Sequence, residues 1–194
     1  IHERYPETVD PLFHMGMCRV NRGDDEAALD YFTQALGTIP EGSEEQAQIY
    51  SQMSLIFSRM GLHAKAATYT DEALKIYPDN AELIIMKGHE LLCQGQYEES
   101  SELFLHALDL NADNVERSLF LIGVSMLENG HCEMSHYILR LLKDNPAIEA
   151  EVLYPYLCYC EWTLRTENFR ETLAQSLAHC PQKTYEIFNL TPAQ

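Results

Sequence analysis

The sequence predicts an all-α fold, a right-handed α-solenoid of stacked antiparallel helix pairs. Prolines recur at Pro6, Pro40 and Pro78, spaced 34 and then 38 residues apart. Glycines recur between apolar stretches. Small residues also recur at fixed distances from these prolines and glycines, and so form columns when the repeats are aligned. Repeats of this length are typical of helical arrays. One hairpin cannot bury its own apolar face, so neighbouring hairpins are expected to stack.

Each hairpin is predicted to turn at a glycine, which ends one helix and lets the chain reverse into the next. These turn glycines are Gly23, Gly61, Gly95 and Gly130. A proline closes the second helix because it cannot continue one.

Columns of small residues predict close helix crossings within each hairpin. The first helices carry Gly16, Ser54, Gly88 and Gly123, and twelve residues later come Ala28, Ala66, Ser100 and Ser135. Seven residues further come Ala35, Ala73 and Ala107, with Leu142 breaking the series. A bulky residue three positions before this last column fills the gap, at Phe32, Phe104 and Leu139. Thr70 departs from the pattern, and the neighbouring Tyr69 is the candidate for its role.

Together these columns resemble the tetratricopeptide repeat, a helix–turn–helix unit of about 34 residues. Stretches such as GDDEAALDYFTQAL and GLHAKAATYTDEALKIYP are quite specific for this family. The resemblance implies repeats at 9–42, 47–80 and 81–114, a divergent repeat at 116–149, and a degenerate repeat or capping hairpin at 150–183. Two features depart from the family. Its leading Trp is replaced by Leu12, Tyr50, Ile84 and Leu119, and Leu157 and Phe169 fill the small columns of the last unit, which is expected to splay or pack differently.

Both ends of the sequence suggest a longer array. Pro6 lies one period before Pro40, so residues 1–8 are expected to be the tail of a preceding repeat. Residues 184–194 read as the start of a further helix. The chain is therefore interpreted as a fragment.

Composition narrows the class of partner. The net charge is −17, from 30 carboxylates against 13 Lys and Arg. Such a chain repels phosphate backbones and anionic lipid, so we expect no nucleic-acid or membrane partner. Six cysteines lack a framework spacing, which favours reduced thiols and a cytoplasmic location. Because the chain starts at Ile1, the presence of a targeting segment upstream stays an open question.

The acidic residues follow the helix alternation. Residues 11–21, 47–60 and 117–127 contain no Asp or Glu, and 81–93 contains only Glu82 and Glu90. The resemblance implies that first helices line a concave face and second helices a convex one. It places eight residues toward the groove: Phe13, Met17, Ser51, Leu55, Ile85, His89, Phe120 and Val124. The Lys, Arg and Asn with which other members clamp an acidic C-terminus are absent from these positions.

The predicted function is therefore a protein–protein interaction scaffold, whose groove binds an apolar or amphipathic peptide or helix of a partner. Two alternatives stay open. The chain could be a regulatory module that senses a ligand or peptide and controls a domain outside this fragment, or a self-associating structural array. We expect no enzyme activity and no cofactor, and the oligomeric state is left open.

A metal site is considered at HCEMSH (131–136), where Cys132 and His136 lie four residues apart on one helix. Cys158 and Cys160 would point about 200° apart on a helix, so they cannot easily share a metal. No CxxC pair, HExxH, GxSxG or phosphate-binding glycine loop is present. The sequence thus favours no metal and no catalytic residue.

The aromatic cluster YPYLCYCEW (154–162) is the remaining singular feature. Tyr154, Tyr156, Tyr159 and Trp162 spread around a helix, and Pro155 is expected in its first turn. The cluster is interpreted as a cap that fills an irregular last interface. An aromatic anchor for a partner is the alternative.

Overall fold

A computed structural model of the chain describes residues 11–110, 112–143 and 145–189. These residues form eleven α-helices and no strand: α1 (Pro11–Val20), α2 (Asp25–Leu36), α3 (Glu44–Arg59), α4 (His63–Ile76), α5 (Ala81–Cys93), α6 (Tyr97–Asp109), α7 (Val115–Glu128), α8 (Cys132–Leu141), α9 (Ala150–Leu164), α10 (Phe169–His179) and α11 (Pro181–Asn189). The predicted all-α fold is confirmed. The helices fall into two compact units, α1 to α5 in unit 1 and α6 to α11 in unit 2. The predicted repeat tail at 1–8 and the chain after 189 lie outside the described residues.

The four turn glycines lie between helices, as predicted, and all have left-handed backbone, with φ between 73° and 84°. In each turn the N–H that follows the glycine bonds the carbonyl five residues earlier. These bonds are Asp24 to Arg19, Leu62 to Phe57, Gln96 to Leu91 and His131 to Met126. This closure is the Schellman motif, which needs a left-handed residue that glycine adopts without a steric penalty.

The last hairpin makes the same turn without a glycine. Thr166 N–H bonds the Glu161 carbonyl at 3.0 Å, and Arg165 takes the left-handed position with φ 56°. A residue with a Cβ is disfavoured there by about 1–2 kcal/mol. We therefore expect Arg165→Gly to raise the free energy of unfolding by about 0.5–1 kcal/mol, measured by urea titration. Gly130→Ala, at φ 84°, is the matched control and should lower it. A loss of stability in Arg165→Gly would contradict this account.

The small and bulky columns meet inside unit 1 as predicted. Gly16 and Phe32 face each other across α1 and α2, and a methyl group on Gly16 would lie 2.4 Å from the Phe32 ring. In the next hairpin a hydrogen bond replaces this fit, because the Ser54 and Thr70 hydroxyls lie 2.7 Å apart. The proposal that Tyr69 replaces Thr70 is wrong. Thr70 is fully buried in the column, and Tyr69 stacks on Phe57 instead.

Unit 2 repeats the fit once and then departs from it. A methyl group on Gly123 would lie 2.9 Å from Leu139 Cδ2. In the last hairpin Leu157 is fully buried, and α11 packs against both α9 and α10. The Ser176 and Thr184 hydroxyls join α10 to α11 at 2.6 Å.

The expected position of Pro155 is wrong. Helix α9 begins at Ala150, five residues earlier, so Pro155 lies in its second turn and is buried. Because proline has no N–H, this helix lacks one of its backbone hydrogen bonds there. None of the helices in the described residues combines the length and apolar content needed to cross a bilayer.

Candidate functional site

Unit 1 contains a cavity of about 340 Å³ where α1, α3 and α5 meet the end of α4. We call it the unit 1 groove. Its lining residues are Phe13, Glu44, Ala47, Gln48, Ser51, Gln52, Tyr77, Asn80, Glu82 and Leu83.

Two helix caps determine which residues reach this groove. The Ser43 hydroxyl accepts the Gln46 N–H at 3.2 Å, and the Gln46 side-chain oxygen accepts the Gly42 N–H at 2.7 Å. This arrangement differs from a capping box only in that Gln46 bonds the N–H one residue before the cap, and it starts α3 at Glu44. The Asn80 side chain likewise accepts the Leu83 N–H at 3.1 Å and starts α5 at Ala81. The groove therefore lies beside the first turns of two helices.

The groove combines an apolar floor with polar side chains. Ala47 and Leu83 are buried, and Phe13 packs with its ring centroid 6.0 Å from that of Phe32. Within the described residues, the Gln52 side chain, the Tyr77 hydroxyl and the Glu82 carboxylate have no hydrogen-bond or ion-pair partner. An amide offers two donors and an acceptor, which suits the backbone of a bound peptide.

The predicted groove residues of unit 1 divide between this cavity and other environments. Phe13 and Ser51 line it, and the Ser51 hydroxyl also lies 3.8 Å from Met86 Sδ. Met17 packs against the core of α1 to α4 and is half-buried. The other three do not line the cavity: Leu55 is 42% exposed, Ile85 is 7% exposed, and His89 bonds Glu90.

The two predicted groove residues of unit 2 lie on α7. Phe120 meets Tyr156 of α9 edge to face, with ring centroids 5.8 Å apart. Lys183 of α11 places its Nζ 5.9 Å from the centre of the same Tyr156 ring. Val124 is half-buried. Successive first helices of unit 2 are thus linked through aromatic contacts.

The other rings of the aromatic cluster also contact neighbouring helices. Tyr154 stacks on His179 of α10 with an interplanar angle of 9°. Tyr159 and Trp162 meet Phe188 of α11, at 5.8 and 5.3 Å between centroids. Trp162 stays 45% exposed beside a cavity of about 530 Å³ at the α9–α10 turn. The rings of the cluster thus pack against α7, α10 and α11 of unit 2.

A buried carboxylate holds α4 against α5 in unit 1. Glu90 is 3% exposed, and its two oxygens lie 2.8 Å from His63 Nδ1 and 3.1 Å from His89 Nδ1. Burial opposes the charge of His89, but hydrogen bonds to Cys93 and Glu90 outweigh it and raise the pKa of His89 to about 9. Burial also opposes the charge of Glu90, yet hydrogen bonds from His89, Ser58 and His63 lower the pKa of Glu90. The network has the geometry of a structural ion pair.

The residues considered for metal binding lie between α8 and α9. The Cys132 thiol is 3.7 Å from the Cys160 carbonyl, and His136 Nε2 is 3.5 Å from Glu161 Oε1. Burial lowers the pKa of His136. Burial raises the pKa of Cys158 to about 12, so its thiol stays protonated and unreactive. In the described ranges, no three His, Cys, Asp or Glu side chains are placed to hold a metal ion.

The sequence interpretation missed most of the groove's polar lining. It placed the start of the first helix of the second repeat at residue 47, whereas that helix, α3, starts at Glu44. The acid-free description of that helix is therefore wrong, since Glu44 and Glu45 belong to its first turn. The signal was available, because Ser43 and Gln46 form the S-x-x-Q pattern of a capping box. Nothing local to the sequence indicated that Tyr77 or Gln52 would line the same cavity.

Comparisons with known proteins agree with the repeat pattern. Two tetratricopeptide repeat models match the chain, one at residues 47–80 and 81–114 and the other at 12–38. A MamA structure from Desulfovibrio magneticus RS-1 is 18% identical, with TM-score 0.63, and the alignment covers 94% of this chain and 96% of that one. The structure of YrrB, described as a TPR protein with an unusual peptide-binding site, is 16% identical, with TM-score 0.59 and coverages of 93% and 91%. At these identities the likeness establishes the fold.

One curated relative also matches. Tetratricopeptide repeat protein 21B of Mus musculus is 24% identical over 117 residues. The match covers 58% of this chain but 9% of the mouse protein. The chain therefore corresponds to a small part of that relative.

Proposed function

Because this chain belongs to the tetratricopeptide repeat family, a family of protein-binding scaffolds, we propose that it binds a peptide segment of a partner protein in the unit 1 groove. The observation that carries the proposal is the combination of a preformed cavity, an apolar floor and polar side chains without partners in the described residues. Ligand sites commonly pair an apolar lining with a few polar groups that set orientation.

The proposal differs in detail from the groove implied by the family geometry. Phe13 and Ser51 remain in it, joined by Gln52, Tyr77 and Leu83. An extended peptide fits this lining, because its alternate side chains could enter the apolar floor while its backbone bonds the amides. The charge of the groove disfavours the binding of a partner's acidic C-terminus, since no Lys or Arg of the described residues lines the groove.

Peptides selected from a random phage-displayed library against the wild-type chain should bind about tenfold or more weakly to Phe13→Asp, which places an unpaired charge on the floor. Affinity is measured by fluorescence anisotropy of the synthetic peptides. Since Phe13 also packs against the core, Gln52→Ala is a second variant that removes only a polar contact and should weaken binding severalfold.

Met60→Asp is the control, because Met60 is 46% exposed and does not line the groove. It should leave the affinity unchanged. Selected peptides that bind both groove variants as tightly as the wild type would place the binding surface elsewhere. A selection that enriches no peptide would also refute the proposal.

A further inference from the structure

We propose that the segment bound in the unit 1 groove carries lysine or arginine side chains that pair with Glu44 and Glu82. This inference rests on the function proposed above and names the chemistry of the occupant. Both carboxylates line the cavity and both side chains are exposed.

Five of the six described lysines and arginines of unit 1 are engaged elsewhere, and the sixth, Arg22, lies in the turn between α1 and α2 and does not line the groove. Within the described residues, the ion pairs that join lysine or arginine to a carboxylate in this unit are Arg19–Asp24, Arg59–Asp25, Lys75–Glu72 and Lys87–Asp71. Lys65 lies 4.1 Å from the centre of the Phe57 ring. In contrast, Glu44 contacts only the amide of Gln48, at 3.3 Å, and Glu82 has no partner in the residues that the structure describes. The groove thus keeps negative charge that no side chain of its own neutralises.

The helix termini at the groove do not reverse this charge. The N-terminus of a helix carries a positive partial charge that would favour an anionic ligand. Here the Ser43 and Asn80 side chains already accept N–H groups of α3 and α5, and Glu44 and Glu82 lie in the same first turns. Each terminus therefore presents a carboxylate to the cavity.

First-turn carboxylates also stabilise helices, so their presence alone does not identify a ligand site. Glu26 and Glu45 occupy first turns as well, but they do not line the cavity. This difference in position provides a matched control, because the same pair of charges can be removed inside or outside the groove.

The probes are three fluorescein-labelled octapeptides that alternate leucine with lysine, glutamine or glutamate. In an extended peptide the leucines project to one side and the polar residues to the other. We expect the lysine peptide to bind most tightly and the glutamate peptide most weakly. Glu44→Gln combined with Glu82→Gln should reduce the affinity for the lysine peptide about tenfold, to that of the glutamine peptide. Raising the salt concentration should produce the same convergence in the wild type.

The control is Glu26→Gln combined with Glu45→Gln, which makes the same change in net charge and should leave the affinity ranking unchanged. An equal loss of affinity for the lysine peptide in this control would mean that the acidic chain attracts the peptide only by its net charge. That result would overturn the proposal. If the lysine and glutamine peptides bind with equal affinity, and Phe13→Asp weakens the binding of both, the proposed preference for basic side chains is wrong. Binding in the groove is still supported by that result. If no probe binds and the phage selection also fails, both proposals fall.

Discussion

Replacing Phe32 with alanine is expected to lower the free energy of unfolding by about 3–5 kcal/mol. The ring is fully buried and packs against the first two hairpins of unit 1. Its removal leaves a cavity directly beside Gly16, because the ring lies where a methyl group on that glycine would point. Urea titration followed by circular dichroism measures the loss.

A second substitution, at Gly16, tests whether the contact between Phe32 and Gly16 accounts for this stability. Gly16→Ala alone should destabilise the chain, because overpacking costs about 1–3 kcal/mol and exceeds the gain of roughly 1 kcal/mol in helix propensity. In the Phe32→Ala background the same methyl group enters empty space, so it should be neutral or stabilising. Additive effects in the double-mutant cycle would contradict the proposed fit.

Gly123→Ala supplies a comparison in unit 2. A methyl group there would meet Leu139 Cδ2 at 2.9 Å, at the far end of a flexible side chain. Both side chains are fully buried, but the overlap at Leu139 is smaller than the 2.4 Å contact at Phe32, and a leucine side chain can rotate where a rigid ring cannot. We therefore expect Gly123→Ala to cost less than Gly16→Ala in the same measurement.

Removing the buried carboxylate of Glu90 is the other change with a large expected effect. Glu90→Ala should lower the free energy of unfolding by about 3–5 kcal/mol at pH 6, because His63 and His89 lose the acceptor that both contact. Glu90→Gln keeps the shape and one acceptor oxygen, so its cost should be about 1–3 kcal/mol. Glu98→Gln, on an exposed position of α6, is the control and should change stability by less than about 0.5 kcal/mol.

The contribution of this network should depend on pH in a defined direction. The raised pKa of His89 means that its stabilisation is complete below pH 6.5, the ordinary value, and is lost as the pH rises through about 9. The lowered pKa of Glu90 means that its stabilisation is present above 4.5, the ordinary value, and is lost as the pH falls below it. The stability difference between the wild type and Glu90→Gln should therefore be largest between about pH 4.5 and 6.5. A difference that stays constant up to pH 10 would show that the charge of His89 does not contribute.

The sequence by itself determined the fold class and the helix pairing. Gly23 and Gly130 occupy turns whose left-handed backbone is a local requirement, so their spacing alone located the turns. The small columns were predictable for a related reason. In a repeat array each hairpin packs mainly on its neighbours, and a residue's place in the period determines its burial. Ala28 and Ala73 are accordingly fully buried.

Periodicity was less informative where the chemistry of a column changes. Thr70 looked like a defect because it is not bulky, yet it fills its column by bonding Ser54 across the hairpin. Pro155 looked like a helix start, but it lies buried in the second turn of α9. For Thr70, a partner on the other helix of the hairpin supplied what the local pattern lacked.

The candidate site depended most on tertiary structure. The family geometry identified Phe13 and Ser51, because the helix face that a residue occupies follows from its place in the repeat. It could not reveal that Tyr77 and Glu82 close the same cavity, since Tyr77 lies at the end of α4 and Glu82 in the first turn of α5, whose start depends on the cap at Asn80. Nor could it pair Glu90 with His63, 27 residues away. A repeat pattern specifies the direction of a side chain around its helix, whereas the distance to a neighbour depends on how closely the small columns allow the helices to approach.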